Sequence, residues 1–406
     1  MKIFVLNAGS SSHKSCLFDL SQAQTTDPIN RPRWQAALDW THAEGSVELT
    51  ASSSGGQSVR QVLPLTDKAE GLQALVQTLV QGPTKVLDDL SEIAAVGHRV
   101  VHGGRDYQQP VVVDAGVKAT IRQLIPLAPA HNPANLQGIE AMERLLGEVP
   151  QVAVFDTAFH ASMPEAAAIY PGPYGWVEQG IRRYGFHGIS HQYVAQRAAQ
   201  MLGQDLKGLK ILTCHLGNGC SLAAVKGGIG VDTTMGFTPL DGLMMGSRSG
   251  SVDPGILFYL MRQEGGSVDH LDHLLNKQSG LKGLSGLSND LRVVVAAMDQ
   301  GNAQAQLAVD VFIHRLRREM GGMIASLGGL DAVVFTAGMG ENSPLVWQRA
   351  CEGLEFLDLK LKDDLGRAKG DQDIAAADSR VRVLVIHTQE EGAIAQACYE
   401  LLQSAT

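Results

Sequence analysis

The chain has 406 residues, 44% of them hydrophobic and 18% charged, a balance that supports two or three folded domains and excludes a disordered tail. A formal charge of −9 argues against a nucleic-acid surface, so any anionic ligand must be met by locally concentrated cations. Five cysteines without a CxxC pair support neither a disulfide framework nor a zinc site. With no signal-like start and no long uncharged apolar run, a soluble cytoplasmic protein without a membrane partner is expected.

Residues 3–6 and 16–18 are apolar strands joined by a loop over 7–14. Gly9 permits a tight turn, Ser10, Ser11 and Ser12 offer hydroxyls, and Lys14 adds a cation. Such a hairpin can hold phosphate or be a plain polar surface turn; it lacks the spacing and the following helix of a P-loop. Residues 33–65 alternate as strands around a soft turn at 51–57, and Leu72, Leu75 and Leu79 predict a helix over 66–79 behind Asp67. A strand over 94–104 carries Arg99 at its end between His98 and His102, where an arginine faces a structural carboxylate or an anionic ligand. His131 precedes an amphipathic helix over 134–146. Asp156 ends the strand beginning at 152, either where α/β sheets keep ligands or as a helix cap, and the chain is expected to cross into a second domain just after it.

His187 lies in a glycine-lined aromatic turn ahead of a helix over 192–202. Residues 209–225 repeat the first hairpin, with His215-Leu216-Gly217-Asn218-Gly219 at the turn and Ser221 after it, which points to an internal duplication. Residues 235–254 form a long loop that places Arg248 between two serines, suited to phosphate oxygens. Helices over 254–261 and 303–327 flank the segment 289–292. A third glycine turn, in 332–343, uses Gly338 and Gly340 to admit a flat nucleoside, and a last strand over 381–386 leads through Glu390 and Glu391 into a helix that returns to the first domain. Three glycine turns after buried strands suggest a nucleotide lying between two related domains.

In order along the chain stand NAGSSSHK, GHRVVHGG, LAPAHNP, FDTAFH, RYGFHGISH, HLGNGCS, GFTPLDGLMMGSRSG, TAGMGENS and TQEEGAIA. On these blocks, from residue 7 to 391, the chain resembles the acetate kinases, in the superfamily that holds sugar kinases, actin and the heat-shock chaperone ATPases. The resemblance implies an α/β fold of two duplicated actin-like ATPase (ribonuclease H-like) domains with a central cleft. It implies an N-terminal domain of 1–156 plus 389–406, and a nucleotide-binding and dimerisation domain of 157–388. The implied reaction is reversible, direct in-line phosphoryl transfer from ATP to acetate, giving ADP and acetyl phosphate, with Mg2+ or Mn2+, in a homodimer. Rival readings are a propionate or butyrate kinase, or a noncatalytic actin-like nucleotide-binding module, which would lack Arg99, His187 and Arg248.

By the same resemblance Arg99 takes the acetate carboxylate, and Val101, Ala130, Phe186 and Pro239 line the acyl group. His131, His187 and Arg248 surround the transferring phosphoryl, where catalysis rests on positioning and positive charge. Acetate has no proton to give up, so Asp156 is read as orienting Arg248 or a magnesium-bound water rather than as a base. Ser10, Ser12, Lys14, His215, Leu216, Gly217, Asn218, Gly219, Asp290, Leu291, Arg292, Gly338, Met339, Gly340, Glu341 and Asn342 fall at nucleotide positions, and Asn7 and Glu390 at metal positions. The chain departs from the family pattern with His13 for an aliphatic residue, Ala130 for leucine, Asp241 for glutamate, Ser247 for threonine, Met339 for isoleucine and Gln389 for asparagine.

Overall fold

The structure is a computed structural model that describes residues 1–21, 31–41, 44–264, 267–366 and 370–404. The chain divides into two units, Met1–Ala158 with Gln389–Thr406, and Phe159–Thr388. No helix of the described residues is long and apolar enough to cross a membrane.

In the first unit, β1 (Lys2–Ala8), β2 (Ser12–Asp19), β3 (Trp34–Asp39), β4 (Val47–Ser53), β5 (Ser58–Leu63), β6 (Ile93–Val100), β7 (Val111–Val112) and β8 (Gln151–Phe155) form one sheet. Their order is β5-β4-β3-β2-β1-β6-β8-β7, antiparallel from β5 to β1, parallel across β1-β6-β8, and antiparallel again at β7. In the second unit, β9 (Lys210–Leu216), β10 (Cys220–Lys226), β11 (Ile229–Thr233), β12 (Ala332–Thr336), β13 (Gln372–Asp373) and β14 (Arg382–Val385) run in the order β11-β10-β9-β12-β14-β13. The directions match strand for strand once β4 and β5 are set aside. The duplication visible in two hairpins therefore extends through both sheets.

Burial follows the pairing. The parallel strands β8 and β12 are covered on both faces and are buried at every position, whereas β3 and β4 alternate and edge strand β5 is largely exposed. One face of the first sheet carries the helix Lys68–Gln77, capped by Asp67, and the helix Asn132–Leu146, which add Leu72, Leu75 and Met142 to a core around Phe4 and Trp34. The helix Glu390–Ser404 packs against β6, where a Cβ on Gly97 would meet Cys398 Sγ and Ile394 Cγ2 at 2.7 Å.

Four local expectations change. The loop expected over 7–14 shrinks to Gly9–Ser11, because pairing continues to Ala8 and His13 and sets Asn7 opposite Lys14. Helices begin earlier, at Asn132 and Gly188, the first aided by Pro133, whose missing N–H lies where the helix has no partner for one. The third glycine turn is a short helix, Ala337–Asn342, with the Ala337 N–H donating to Glu341 Oε1 at 2.8 Å.

His13 is 2% exposed, and neither ring nitrogen has a hydrogen-bond partner; the Gly9 carbonyl approaches without completing one. Burial, reinforced by Lys68, pushes its pKa down to about 4. Between an unfolded-chain value near 6.5 and that value the unfolded state binds a proton that the folded state refuses, so stability falls as pH drops through this window. His13→Leu is expected to stabilise the fold, with a further gain on the order of 1–2 kcal/mol at pH 5 that is absent at pH 8. Urea midpoints at the two pH values measure this; an equal gain at both would show that titration of His13 plays no part.

Candidate functional site

In the first unit, the ladder ends at Val100 and Phe155, and side chains take over from it. Asn135 accepts from the Val101 N–H (3.1 Å) and donates to the Ala8 carbonyl (2.8 Å), tying the ends of β6 and β1 together. Asn132 accepts from the His102 N–H and donates to the His102 and Ile121 carbonyls. Against this frame Arg99 donates from Nε to Asp156 Oδ1 (3.1 Å) and from Nη2 to Oδ2 (2.6 Å). Glu390 Oε2 stands 3.7 Å from Arg99 Nε, an ion pair too long for a hydrogen bond. Burial works to lower the Arg99 pKa, but Asp156, Glu390 and Glu391 outweigh it and hold it above its ordinary value. Asp156 is 1% exposed and grips the Nε–Nη2 edge of the guanidinium. Asp156 is thus a bidentate partner of Arg99.

His131 occupies the N-cap position of the helix Asn132–Leu146 without a side-chain capping bond. Ala130 before it is exposed, and Val101 is buried. Ser10 and Lys14 are exposed; Lys68 Nζ donates to the Ser10 carbonyl at 2.8 Å, pinning the turn. Asn7 is half-buried, and Ser12 opens β2.

In the second unit, the turn Gly217–Gly219 is met by His187 and Arg248. A Cβ built on Gly219 would lie 3.4 Å from His187 Cε1, 3.5 Å from its Nε2 and 3.6 Å from Arg248 Nη1, so a side chain there would sit in van der Waals contact with both groups. His187 has left-handed backbone, φ 57°, as does Ala337, φ 65°, at the end of β12; both strained residues sit at turns that bear site groups. The His187 ring stacks on His215 (4.1 Å, 21°), and its Nδ1 is 2.8 Å from Ser221 Oγ. Arg248 Nη1 donates to the Pro239 carbonyl at 3.1 Å, and among the described residues it has no carboxylate partner. Burial lowers the Arg248 pKa, the cost of a cation without its counter-charge.

Beside the turn opens a cavity of about 870 Å³, lined by Gly217, Asn218, Asp290, Leu291, Arg292, Gly338, Met339 and Asn342. That is room for a nucleotide. Asp290 and Arg292 form a bidentate pair at its rim, and Asp290 also caps the helix Leu291–Asp299. Other expected nucleotide residues do not line it. Leu216 is fully buried in β9, His215 donates to or accepts from Ser190 at 2.8 Å, and Gly340 is buried with its carbonyl held by Trp347 Nε1. Burial opposes ionisation of Glu341, yet hydrogen bonds from His387, the Thr388 N–H and the Ala337 N–H keep its carboxyl below the usual range, so it secures the strand ends instead of facing the cavity. Phe186 is 1% exposed, and Pro239 is half-buried.

Sequence reasoning gave no role to Asn289, Val295, Ala296, Asp299 and Ser343, which also line the cavity. The spacing Arg292, Val295, Ala296, Asp299 is one helical face and would have signalled them. The buried asparagines Asn132 and Asn135, three apart, and His191, four after His187, carry the same kind of signal.

Among the described residues no three His, Cys, Asp or Glu side chains converge as a metal cage. Asn7 and Glu390, both in the first unit, offer oxygen donors, and this small hard set fits Mg2+, which keeps water and phosphate oxygens for most of its shell.

The acetokinase family profile matches residues 2–396. The acetate kinase of Trichormus variabilis is 58% identical over 403 residues, covering 99% of this chain and 100% of its own. The crystal structure of Porphyromonas gingivalis acetate kinase superposes with a TM-score of 0.90 at 39% identity, covering 99% of both chains. A propionate kinase from Francisella tularensis superposes with a TM-score of 0.88 at 37% identity over 98% of both. With its two duplicated sheets, the chain has the actin-like fold of these kinases and belongs to the acetokinase family.

Proposed function

We propose that the chain catalyses reversible phosphoryl transfer from ATP to acetate, forming ADP and acetyl phosphate by direct in-line displacement. The observation that carries this reading is Arg248, a half-buried guanidinium with no carboxylate partner among the described residues, held beside His187 at the Gly219 corner. An unmatched cation there is preorganised for charge that develops on a transferring phosphoryl.

The roles divide between the units. Arg99, steadied by Asp156, receives the acetate carboxylate end-on, and Val101 and Ala130 contribute to the acyl surface, with Phe186 and Pro239 from the second unit. His131, His187 and Arg248 meet the γ-phosphoryl oxygens. Ser10, Ser12 and Lys14 of the first hairpin, and Gly217, Asn218, Gly338 and Met339 with the cavity, hold the nucleotide. Asn7 and Glu390 would hold Mg2+, which would supply neutralisation of phosphate charge. All five cysteines are free thiols, which supports a cytoplasmic enzyme. A homodimer through the second unit is supported by exposed Ile256, Phe258, Tyr259 and Met261 on the helix Pro254–Glu264, with Val293 and Leu307 farther along.

Arg99→Ala should raise KM for acetate and, by removing the bidentate partner of the buried Asp156 carboxylate, also lower the melting temperature. Arg248→Ala should instead lower kcat by the equivalent of about 2–4 kcal/mol and leave stability unharmed, since no carboxylate loses a partner. Steady-state kinetics with thermal denaturation separates the two; an intact kcat in Arg248→Ala would remove it from the phosphoryl.

Ala130 stands exposed where the family commonly has leucine, about three carbons larger, and each methylene is worth roughly 0.8 kcal/mol if its space stays open. Propionate is therefore expected within about tenfold of acetate in kcat/KM, and Ala130→Leu should widen the gap in favour of acetate. Identical ratios in both proteins would mean that a neighbour already fills the space.

The dimer has its own check. Light scattering after size exclusion should give twice the chain mass for the native protein and a single chain mass for Phe258→Glu/Tyr259→Glu, and an unchanged mass would put the interface elsewhere.

A further inference from the structure

The polar interior behind His187 continues past its first hydrogen bond. His187 Nδ1 lies 2.8 Å from Ser221 Oγ, Ser221 Oγ lies 2.8 Å from His191 Nε2, and His191 Nδ1 lies 2.7 Å from Thr213 Oγ1. Thr213 Oγ1 in turn lies 3.3 Å from the Ala223 carbonyl. Ser221, His191 and Thr213 are each 0% exposed, so their polar atoms must be satisfied by one another.

Counting protons decides the direction. A hydroxyl has one to give, a neutral imidazole has one N–H, and a carbonyl only accepts. Burial, with His160 and His215 nearby, holds the His191 pKa well below its ordinary value, so His191 is neutral at physiological pH. If Thr213 donates to Ala223, then His191 Nδ1–H donates to Thr213, Ser221 donates to His191 Nε2, and His187 Nδ1–H donates to Ser221. All four contacts are then hydrogen bonds. Reversing the chain leaves the Thr213–Ala223 contact without a proton, so one bond is lost from a buried network whose members reinforce each other.

We infer that Ser221, His191 and Thr213 are positioning residues that fix the proton of neutral His187 on Nδ1, so that Nε2 donates to a phosphoryl oxygen only when the ring is an imidazolium. The inference rests on the proposed place of His187 at the γ-phosphoryl. Titratable and charged groups near the ring include Arg248 from the loop before Pro254, His215 of β9 and His191 on its own helix. Among the charges near His187 is the cation of Arg248, at the same Gly219 corner. That cation opposes protonation in the free protein; the negative charge of an arriving polyphosphate favours it. The Nε2 donor is thus made available by the nucleotide itself.

The test begins with the native protein. Long-range 1H–15N correlation of the histidine rings at a pH where His187 is neutral, assigned by its loss in His187→Asn, should show Nδ1–H; a neutral Nε2–H ring would overturn the relay. Thr213→Val removes the donor that sets the direction without touching His187, and Ser221→Ala removes the bridge. Each should release the ring toward Nε2–H and abolish the alkaline fall of kcat that the relay predicts for the native enzyme, even though the maximal kcat drops. A variant with the native tautomer and native pH profile would also overturn the relay. His187→Ala keeps the underlying reading separate: an undiminished kcat would remove His187 from the phosphoryl, while the ring tautomers of the native protein would still report on the relay by themselves.

Discussion

Where the parallel strands of each sheet end, the ladder stops inside the protein, and the buried N–H and C=O groups beyond it must be satisfied by side chains. Asn135 and Asn132 do this for Val101, His102 and Ala8 in the first unit, Thr157 does it for the Gly103 N–H, and Glu341 does it for Ala337 and Thr388 in the second. These polar substitutes are rigid because they are buried. They place the functional groups at the carboxyl ends of core strands, the location where open α/β sheets keep their ligands.

Arg99 of the first unit and Arg248 of the second show two uses of a partly buried cation. Arg99 is balanced by Asp156 and approached by Glu390, so it is held in one orientation at little net charge and presents its outer edge. Arg248 has a backbone carbonyl and a thioether beside it, and burial lowers its pKa instead of a carboxylate raising it. The first arrangement suits recognition of a substrate already ionised; the second suits stabilisation of charge that appears during transfer. Five of the buried histidines, His13, His98, His102, His160 and His191, are each driven toward the neutral form by burial. They make the fold acid-sensitive below the ordinary histidine range, by the same desolvation that lets His191 act as a neutral link.

Duplication explains why two hairpins with glycine turns stand in equivalent places, and also why they differ. In the first unit β1 and β2 carry Asn7, Ser12 and Lys14, and extra strands β4 and β5 extend the sheet. In the second unit β9 and β10 carry His215 and Ser221, and the layer behind them is a histidine and hydroxyl network. The same backbone has been given hydroxyls and a cation on one side and imidazoles on the other.

Much of this was legible in the sequence, for reasons of range. Strand and helix types, the two hairpins, the long loop around Arg248 and the helix Ala303–Leu327 follow from apolar period and from glycine, serine and proline within a few residues of one another. The short blocks from Asn7 to Glu391 were enough to place the chain in its family. Tertiary structure alone decided which of two competing partners each polar group takes. Asp156 lies 57 residues from Arg99 and Glu341 lies 47 from Thr388, and no local pattern says that a carboxylate will satisfy these groups rather than a ligand. Leu216 and Gly340 stand in motif positions yet are turned into the core, because strand alternation and the helix Ala337–Asn342 set their direction. The proton order from Ala223 to His187 depends on four contacts made at once, and only a folded interior, closed to water, gives such an order a single answer.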